Sequence, residues 1–171
     1  MRAGGLAPMG GGGKVVEADE TFIGRLQGMK KGKAAWAHKN VVFTLVERGG
    51  SARSFHVDGV RAGDLLPIIR ANLSREAQFN TDEMQSYKYI AEFENLDHAT
   101  VNHSKDEYAR YEEGRPVIHT NTVEGYFSVF KRGMRGTYQH CKEKNLHRYL
   151  AEFDFRYNHR SKLGVEDKQR A

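Results

Sequence analysis

The first half of the chain is patterned for strands and the second half for helices. From Lys14, the β-branched and acidic run KVVEADETFIG predicts a strand closed by Gly24. The basic, glycine-containing RLQGMKKGKAAWAHK that follows predicts a mobile hairpin loop. NVVFTLVERGG predicts a second strand ending at a double glycine, and the alternation in SARSFHVDGV predicts its antiparallel partner. The result is a three-strand meander.

Apolar residues then adopt helical spacing in RAGDLLPIIRANLS, where Pro67 should either kink the helix or mark its first turn. AQFNT predicts a short strand leading to Asp82, EMQSYKYIAEFE a helix, and HATVNHS a last short strand. KDEYARYEEGRPVI is polar and broken by Gly114 and Pro116, as a loop or interrupted helix would be; the remainder is helical in two pieces joined around GTYQHCKEK. Three strands followed by helix, strand, helix, strand, helix, helix describe an α/β fold: a mixed sheet, the antiparallel meander plus two further strands, with helices on its faces.

At 171 residues and 19.4 kDa the chain suits one domain. Residues 1–13, with six glycines, read as a flexible leader, 14–160 as the folded domain and 161–171 as a tail. No apolar run approaches the ~18 residues of a membrane span, and the N-terminus lacks the apolar core of a secretory signal, which predicts a cytoplasmic protein. The single cysteine, Cys141, excludes an internal disulfide and a zinc ribbon. Charge changes the picture more. From Lys131 onward there are 11 Lys and Arg against 5 Asp and Glu, whereas the first 130 residues hold 16 against 17. All of the +5 excess therefore lies in the last 41 residues, which predicts a polyanionic partner met by that end.

Candidate chemistry gathers at three places. Asp19, followed by Glu20, lies within the first strand, and Asp82, followed by Glu83, lies just past the fourth; acids so placed face the crevice where open sheets carry their sites. The third is HTNTVEGYFSVFK. On its helix Glu124, Ser128, Lys131 and Arg135 share one face, while Val123, Phe127, Phe130 and Met134 form an apolar stripe that must pack on the sheet. Asn121 sits at the edge of the polar face. Oxygen ligands from separate elements suit Mg²⁺ or Mn²⁺, and a pair of such ions serves phosphodiester chemistry. Lys131 stands two turns from Glu124, placed to hold a phosphate.

Simpler roles compete. Asn121 is a favoured N-cap, and Asn-x-x-Glu from 121 to 124 reads as a capping box. Asp82 after Thr81 could cap the next helix, and Asp19 would be tolerated on an exposed edge strand. His98, His103 and His119 lack the spacing of a zinc site and read as hydrogen-bonded structural groups. Tyr149, Phe153 and Tyr157 read as a core-facing stripe, with Arg148, Arg156 and Arg160 elsewhere on that helix.

VEADETFIG, NTDEMQSY, VNHSKDEY, HTNTVEGYFSVFKRGMRGTYQH and NLHRYLAEFDFRYNHR, in this order from about Lys14 to Arg160, resemble the successive blocks of the ISXO-like insertion-sequence transposase domain, a branch of the ribonuclease-H-like DDE transposases. The resemblance implies a ribonuclease-H-like fold and a site in which Asp19 and Asp82 match the two aspartates, Asn121 the usual third member and Lys131 the trailing lysine. Glu124 keeps the seven-residue step to lysine used where the third member is glutamate, so it rivals Asn121 for the third metal ligand. The implied cofactor is Mg²⁺ or Mn²⁺, two ions, and the implied reaction is DNA strand cleavage and strand transfer. The implied partners are DNA ends and target DNA, bound by a homo-oligomer that is nucleoid-associated when on DNA. Lys131, Arg132, Arg135, Lys142, Lys144, Arg148, Arg156 and Arg160 would supply the DNA contacts. Family members carry an N-terminal end-recognition segment where this chain has its glycine-rich leader, which suggests a truncated remnant. A DNA-binding module without catalysis and a metal-dependent nuclease are the alternatives.

Overall fold

The computed structural model describes residues 6–26, 28, 29, 37–138 and 141–160. Strands β1 (Val15–Ile23), β2 (Asn40–Glu47) and β3 (Ala52–Val57) are followed by α1 (Ala62–Asn72), β4 (Gln78–Thr81), α2 (Gln85–Glu94), β5 (Asp97–Thr100), α3 (Asn121–Gly136) and α4 (Leu146–Asn158). This is the order that the residue pattern predicts. The strands form one sheet in the order β3-β2-β1-β4-β5, antiparallel across the meander and parallel between β1, β4 and β5.

Both faces of the sheet are covered, which is why β2 is a nearly continuous apolar run. Val41, Phe43 and Leu45 point to one face and pack with Leu65 and Ile69 of α1 and Tyr87 and Ile90 of α2. Val42 and Val46 point to the other, against Val123, Phe127, Phe130 and Met134 of α3 and Leu146 and Leu150 of α4. The predicted α3 stripe is thus the packed one, and each such side chain stabilises the fold by ~1.5–3 kcal/mol when fully buried. Glu124, Ser128 and Arg135 lie on the exposed side and Lys131 at its half-buried margin.

Three expectations need correction. Pro67 does not mark the first turn of α1: it sits inside the helix, and the carbonyl its missing N–H would have met belongs to exposed Gly63, open to water. Structure also begins before Lys14. Met9 is 2% exposed, pairs with Leu73 and joins the core, and Gly10, at φ +82°, donates to Glu47 Oε2 at 2.9 Å. A glycine-rich composition here serves close approach, since a Cβ on Gly10 would lie 2.3 Å from Ala77 Cβ. Tyr149, Phe153 and Tyr157 do face the core, packed against it as a half-buried rim, while the buried line of α4 is Leu146, Leu150 and Asp154. Asp154 is inside because its carboxylate accepts from Ser54 N, Ser54 Oγ and Tyr126 OH at 2.7–2.8 Å. Finally, β1 is the central strand, so no exposed edge accounts for Asp19. The 161–171 tail and part of the predicted hairpin loop, at 27 and 30–36, lie outside the described residues.

Candidate active site

Register brings the two aspartates together. β1 and β4 run parallel with Glu17 opposite Asn80, so two residues further on Asp19 lies level with Asp82, at the carboxyl end of β4. Neighbouring strands are ~4.8 Å apart. β1 continues past the end of β4, and in the space left there Glu20 joins the pair: one carboxylate oxygen each from Asp19, Glu20 and Asp82 lie within 4.8 Å of one another. Among the described residues this is the one group of three acidic, histidine or cysteine side chains so arranged.

Each acid is held from behind. Tyr87 of α2 donates to Glu20 Oε2 at 2.6 Å, and the Glu20 amide donates to Asp19 Oδ1 at 2.8 Å. Asp82 does not cap α2, whose N-cap is Met84; its Oδ1 accepts the Met84 amide at 3.0 Å in a local turn. Burial, then repulsion from Glu20, Asp82 and Glu124, pushes the Asp19 carboxyl well above the ordinary range. Burial also raises Glu20, with Asp82 adding to it, and raises Asp82, with Glu83 adding to it. Three carboxylates raised together form a site that a cation would relieve. Hard oxygen donors in that number suit Mg²⁺ or Mn²⁺ better than a softer metal.

Of the predicted ligands on α3, Glu124 lies near enough for its charge to raise the Asp19 carboxyl but is not among the three acids that converge, and Asn121 makes no hydrogen bond with them. The anchoring of the helix start also differs from the predicted capping box. Asn121 is the first helical residue, and Thr120 is the cap position, without a capping bond of its own. The free amides at the helix start are taken instead by Glu17. Its Oε2 accepts from Thr122 N at 2.7 Å and Val123 N at 3.1 Å, and its Oε1 accepts from Thr122 Oγ1 at 2.8 Å and Arg48 Nε at 2.9 Å. Glu17 is fully buried and shares the α3-facing side of β1 with Asp19. Arg48 also donates to Val117 O at 2.7 Å and approaches His119 Nδ1 at 3.2 Å, and the Asn121 amide donates to that same nitrogen. Burial lowers the His119 pKa, so Nδ1 acts as an acceptor; its 3.1 Å approach to Glu17 Oε1 is a contact organised by Arg48 rather than an ion pair.

Glu124 is placed by neighbours rather than by a cap. Thr120 Oγ1 donates to Glu124 Oε1 at 2.8 Å, and His103 Nε2 lies 3.1 Å from Thr120 Oγ1 and 3.4 Å from Glu124 Oε1. The loop carrying His103 is clamped by Glu83, which accepts from His103 N and from the amide and hydroxyl of Ser104; those bonds pull the Glu83 carboxyl down to about 2. His98 bonds Thr81 Oγ1 at 2.9 Å, so all three singled-out histidines have the structural hydrogen bonds expected of them. Asn121 is exposed at the same end of α3.

The predicted DNA-contacting residues divide by geometry. Arg132, Arg135, Lys142, Lys144 and Arg148 are exposed, and Lys131 lies 6.0 Å from the Phe127 ring centre. Arg156 is tied to Glu152 at 2.7 Å, and Arg160 stacks on Tyr157 at 3.7 Å while donating to Gly50 O and Tyr157 O. Sequence reasoning missed Glu17, Glu20 and His103 as parts of this region. Strand alternation sends Glu20 to the face opposite Asp19; only the early end of β4 lets the two converge. The signal available was two acids flanking Asp19 in VEADE.

The family model for the ISXO2-like transposase domain matches residues 10–158. No curated protein and no solved structure matched the chain. The chain belongs to the ISXO2-like transposase domain family, its mixed sheet is consistent with a ribonuclease-H-like transposase fold, and the family supports a function related to transposition.

Proposed function

We propose that this domain cleaves DNA strands at the ends of a mobile element and transfers them to target DNA, with Asp19, Glu20 and Asp82 as the metal-holding carboxylates. The observation that carries this reading is the convergence of those three acids within 4.8 Å at the carboxyl end of β4, each with a raised pKa. Divalent Mg²⁺ or Mn²⁺ held there supplies charge neutralisation for the reacting phosphodiester and lowers the pKa of the attacking hydroxyl.

The chain's own residues do the rest. Glu17 and Arg48 fix the start of α3, which carries Asn121 and Glu124; the charge of Glu124 reaches Asp19, and one of these two side chains would complete the ligand set once ions and DNA are bound. Tyr87 and the Met84 amide hold Glu20 and Asp82 in place before DNA arrives, so little reorganisation accompanies binding. Lys131, Arg132 and Arg135 lie farther along the same helix, where a strand leaving the site would present its phosphates. In cleavage a water oxygen attacks phosphorus and the bond to the 3′ oxygen breaks, giving a 3′-hydroxyl and a 5′-phosphate. In joining that 3′-hydroxyl attacks a target phosphodiester, and one bond is exchanged for another without an external energy source.

Nicking of supercoiled plasmid in Mn²⁺ tests the reading. Wild-type protein should nick, while Asp19→Asn and Asp82→Asn should lose at least ~100-fold in rate, as expected when preorganised charge stabilisation is removed. Nicking without joined products in a strand-joining assay would favour the nuclease. DNA binding unchanged by both variants, with no nicking by any protein, would leave only a binding module.

A further inference from the structure

Farther along β1 and α3 from the acidic site is a cavity that shares Lys131 and Arg135 with the proposed phosphate path but whose other walls the reaction above does not use. It has a volume of about 310 Å³ and lies where the end of β1 meets the C-terminal half of α3. Its lining includes Lys39, Lys131 and Arg135, with Glu143 as the one acid among the described lining residues, and apolar surface from Ile23, Met134 and Leu146. That size is at the lower end of small-molecule pockets, ~300–1,000 Å³. A net positive rim over apolar walls fits an anion with a flat apolar body.

Two side chains sharpen the fit. Tyr138 lines the cavity with its ring held in place: its hydroxyl donates to Glu152 at 2.6 Å, and Tyr149 packs on it with ring centres 4.8 Å apart. A fixed aromatic ring is the usual platform for an unstacked base. Asn40 also lines the cavity and is 4% exposed; its Nδ2 donates to Ile23 O at 3.4 Å, but its Oδ1, itself buried, has no hydrogen-bond partner among the described residues. A buried acceptor left unpaired costs ~1–3 kcal/mol, so a turn of this side chain that brought Oδ1 to the cavity wall would let a donor on a nucleobase edge satisfy it.

We infer that this cavity is a subsite for one nucleotide unstacked from the DNA strand, with its base against Tyr138 and Asn40 and its phosphate among Lys39, Lys131 and Arg135. The inference rests on the proposed handling of DNA at the acidic site and deepens it. Ile23 is four residues beyond Asp19, ~13 Å along a strand, and Lys131 is seven beyond Glu124, ~10 Å along a helix. At ~3.4 Å per nucleotide along a duplex axis the held base lies about three or four positions from the reacting phosphodiester. The cavity would then read a base near the element end, a task the acids cannot perform.

Cys141 supplies the test. It is the only cysteine in the chain, lines this cavity and is half-exposed. Its reaction with a chromogenic disulfide at mildly alkaline pH therefore reports occupancy of this cavity alone. The full chain is titrated with a short single-stranded DNA, with an abasic strand of equal length, and with free deoxyadenosine monophosphate. The base-containing strand should protect Cys141 at a concentration at least about fivefold lower than the abasic strand, the low end of base–aromatic stacking. Lys39→Ala and Arg135→Ala should weaken protection by both strands. Equal protection by the two strands, protection by the free nucleotide as strong as by the strand, or no protection at all would each overturn the subsite. Asp19→Asn should lose nicking and keep protection. Nicking without protection sinks the subsite alone, and base-dependent protection without nicking in any condition sinks the proposed reaction alone.

Discussion

Replacing Glu17 by Gln tests how the site is assembled, because the change is nearly isosteric and touches no proposed reacting atom. In the native chain one oxygen of Glu17 faces two helix amides and the other faces Arg48 Nε and Thr122 Oγ1. A glutamine can satisfy only one side. With its carbonyl toward the amides of Thr122 and Val123, its NH₂ group meets the Arg48 guanidinium, donor against donor; reversed, it meets the helix amides. Either way a charge-assisted hydrogen bond worth ~1.5–3 kcal/mol is lost. Removing one partner of a buried pair costs ~3–5 kcal/mol when the other charge is wholly buried. The Arg48 side chain is 24% exposed and keeps bonds to Val117 O, which lowers that cost. The expected destabilisation is ~2–4 kcal/mol, or a Tm about 4–16 °C lower for a domain of this size.

Thermal unfolding followed by circular dichroism measures the loss, and amide exchange locates it. The Thr122 and Val123 amides should exchange faster in Glu17→Gln, while amides in β2 keep their protection relative to global stability. In a double-mutant cycle with Arg48→Met the two changes should be non-additive by at least ~1 kcal/mol. A Tm within 2 °C of wild type, or strict additivity, would refute the account of Glu17 as the anchor of α3.

The acidic cluster should cost stability when no divalent ion is present. Asp19, Glu20 and Asp82 have folded-state pKa values raised above their unfolded values, so their contribution is favourable below about pH 4 and is lost as pH rises through the raised values. Asp19→Asn should therefore raise the metal-free Tm at neutral pH, and Mn²⁺ should raise the Tm of wild type but not of this variant; a lower metal-free Tm would contradict the repulsion. Gly10→Ala should destabilise by at least ~2 kcal/mol, since φ +82° and a Cβ 2.3 Å from Ala77 Cβ both oppose it, and an unchanged Tm would mean that residues 6–13 do not dock. For the ligand from α3, Asn121→Ala and Glu124→Gln should differ: the true ligand's variant loses the Mn²⁺-induced Tm shift and plasmid nicking, whereas the other keeps both within about tenfold. Equal loss in both would place the two side chains on the ions together.

What the sequence made legible follows the range of the interactions. The nine elements and the apolar face of α3 rest on local period, and Val123, Phe127, Phe130 and Met134 declare it within twelve residues. Asp19 and Asp82 stood out because an acid inside a β-branched run or just after one is locally out of place. Asn121 was misplaced by one position as a cap because the partner that satisfies the helix start is not in the helix: Glu17 lies 105 residues from Thr122 in the chain. A capping pattern is a local rule, and it fails where a distant buried charge performs the same task. Met9 was misread, and Asp154 passed over, for the same reason. A glycine-rich neighbourhood hid the first, and charge hid the second, while the contacts that bury them come from Leu73 and from Ser54 and Tyr126. Glu20 shows the remaining limit, since its place beside Asp19 depends on where β4 stops, a fact about the neighbouring strand that no pattern within VEADE contains.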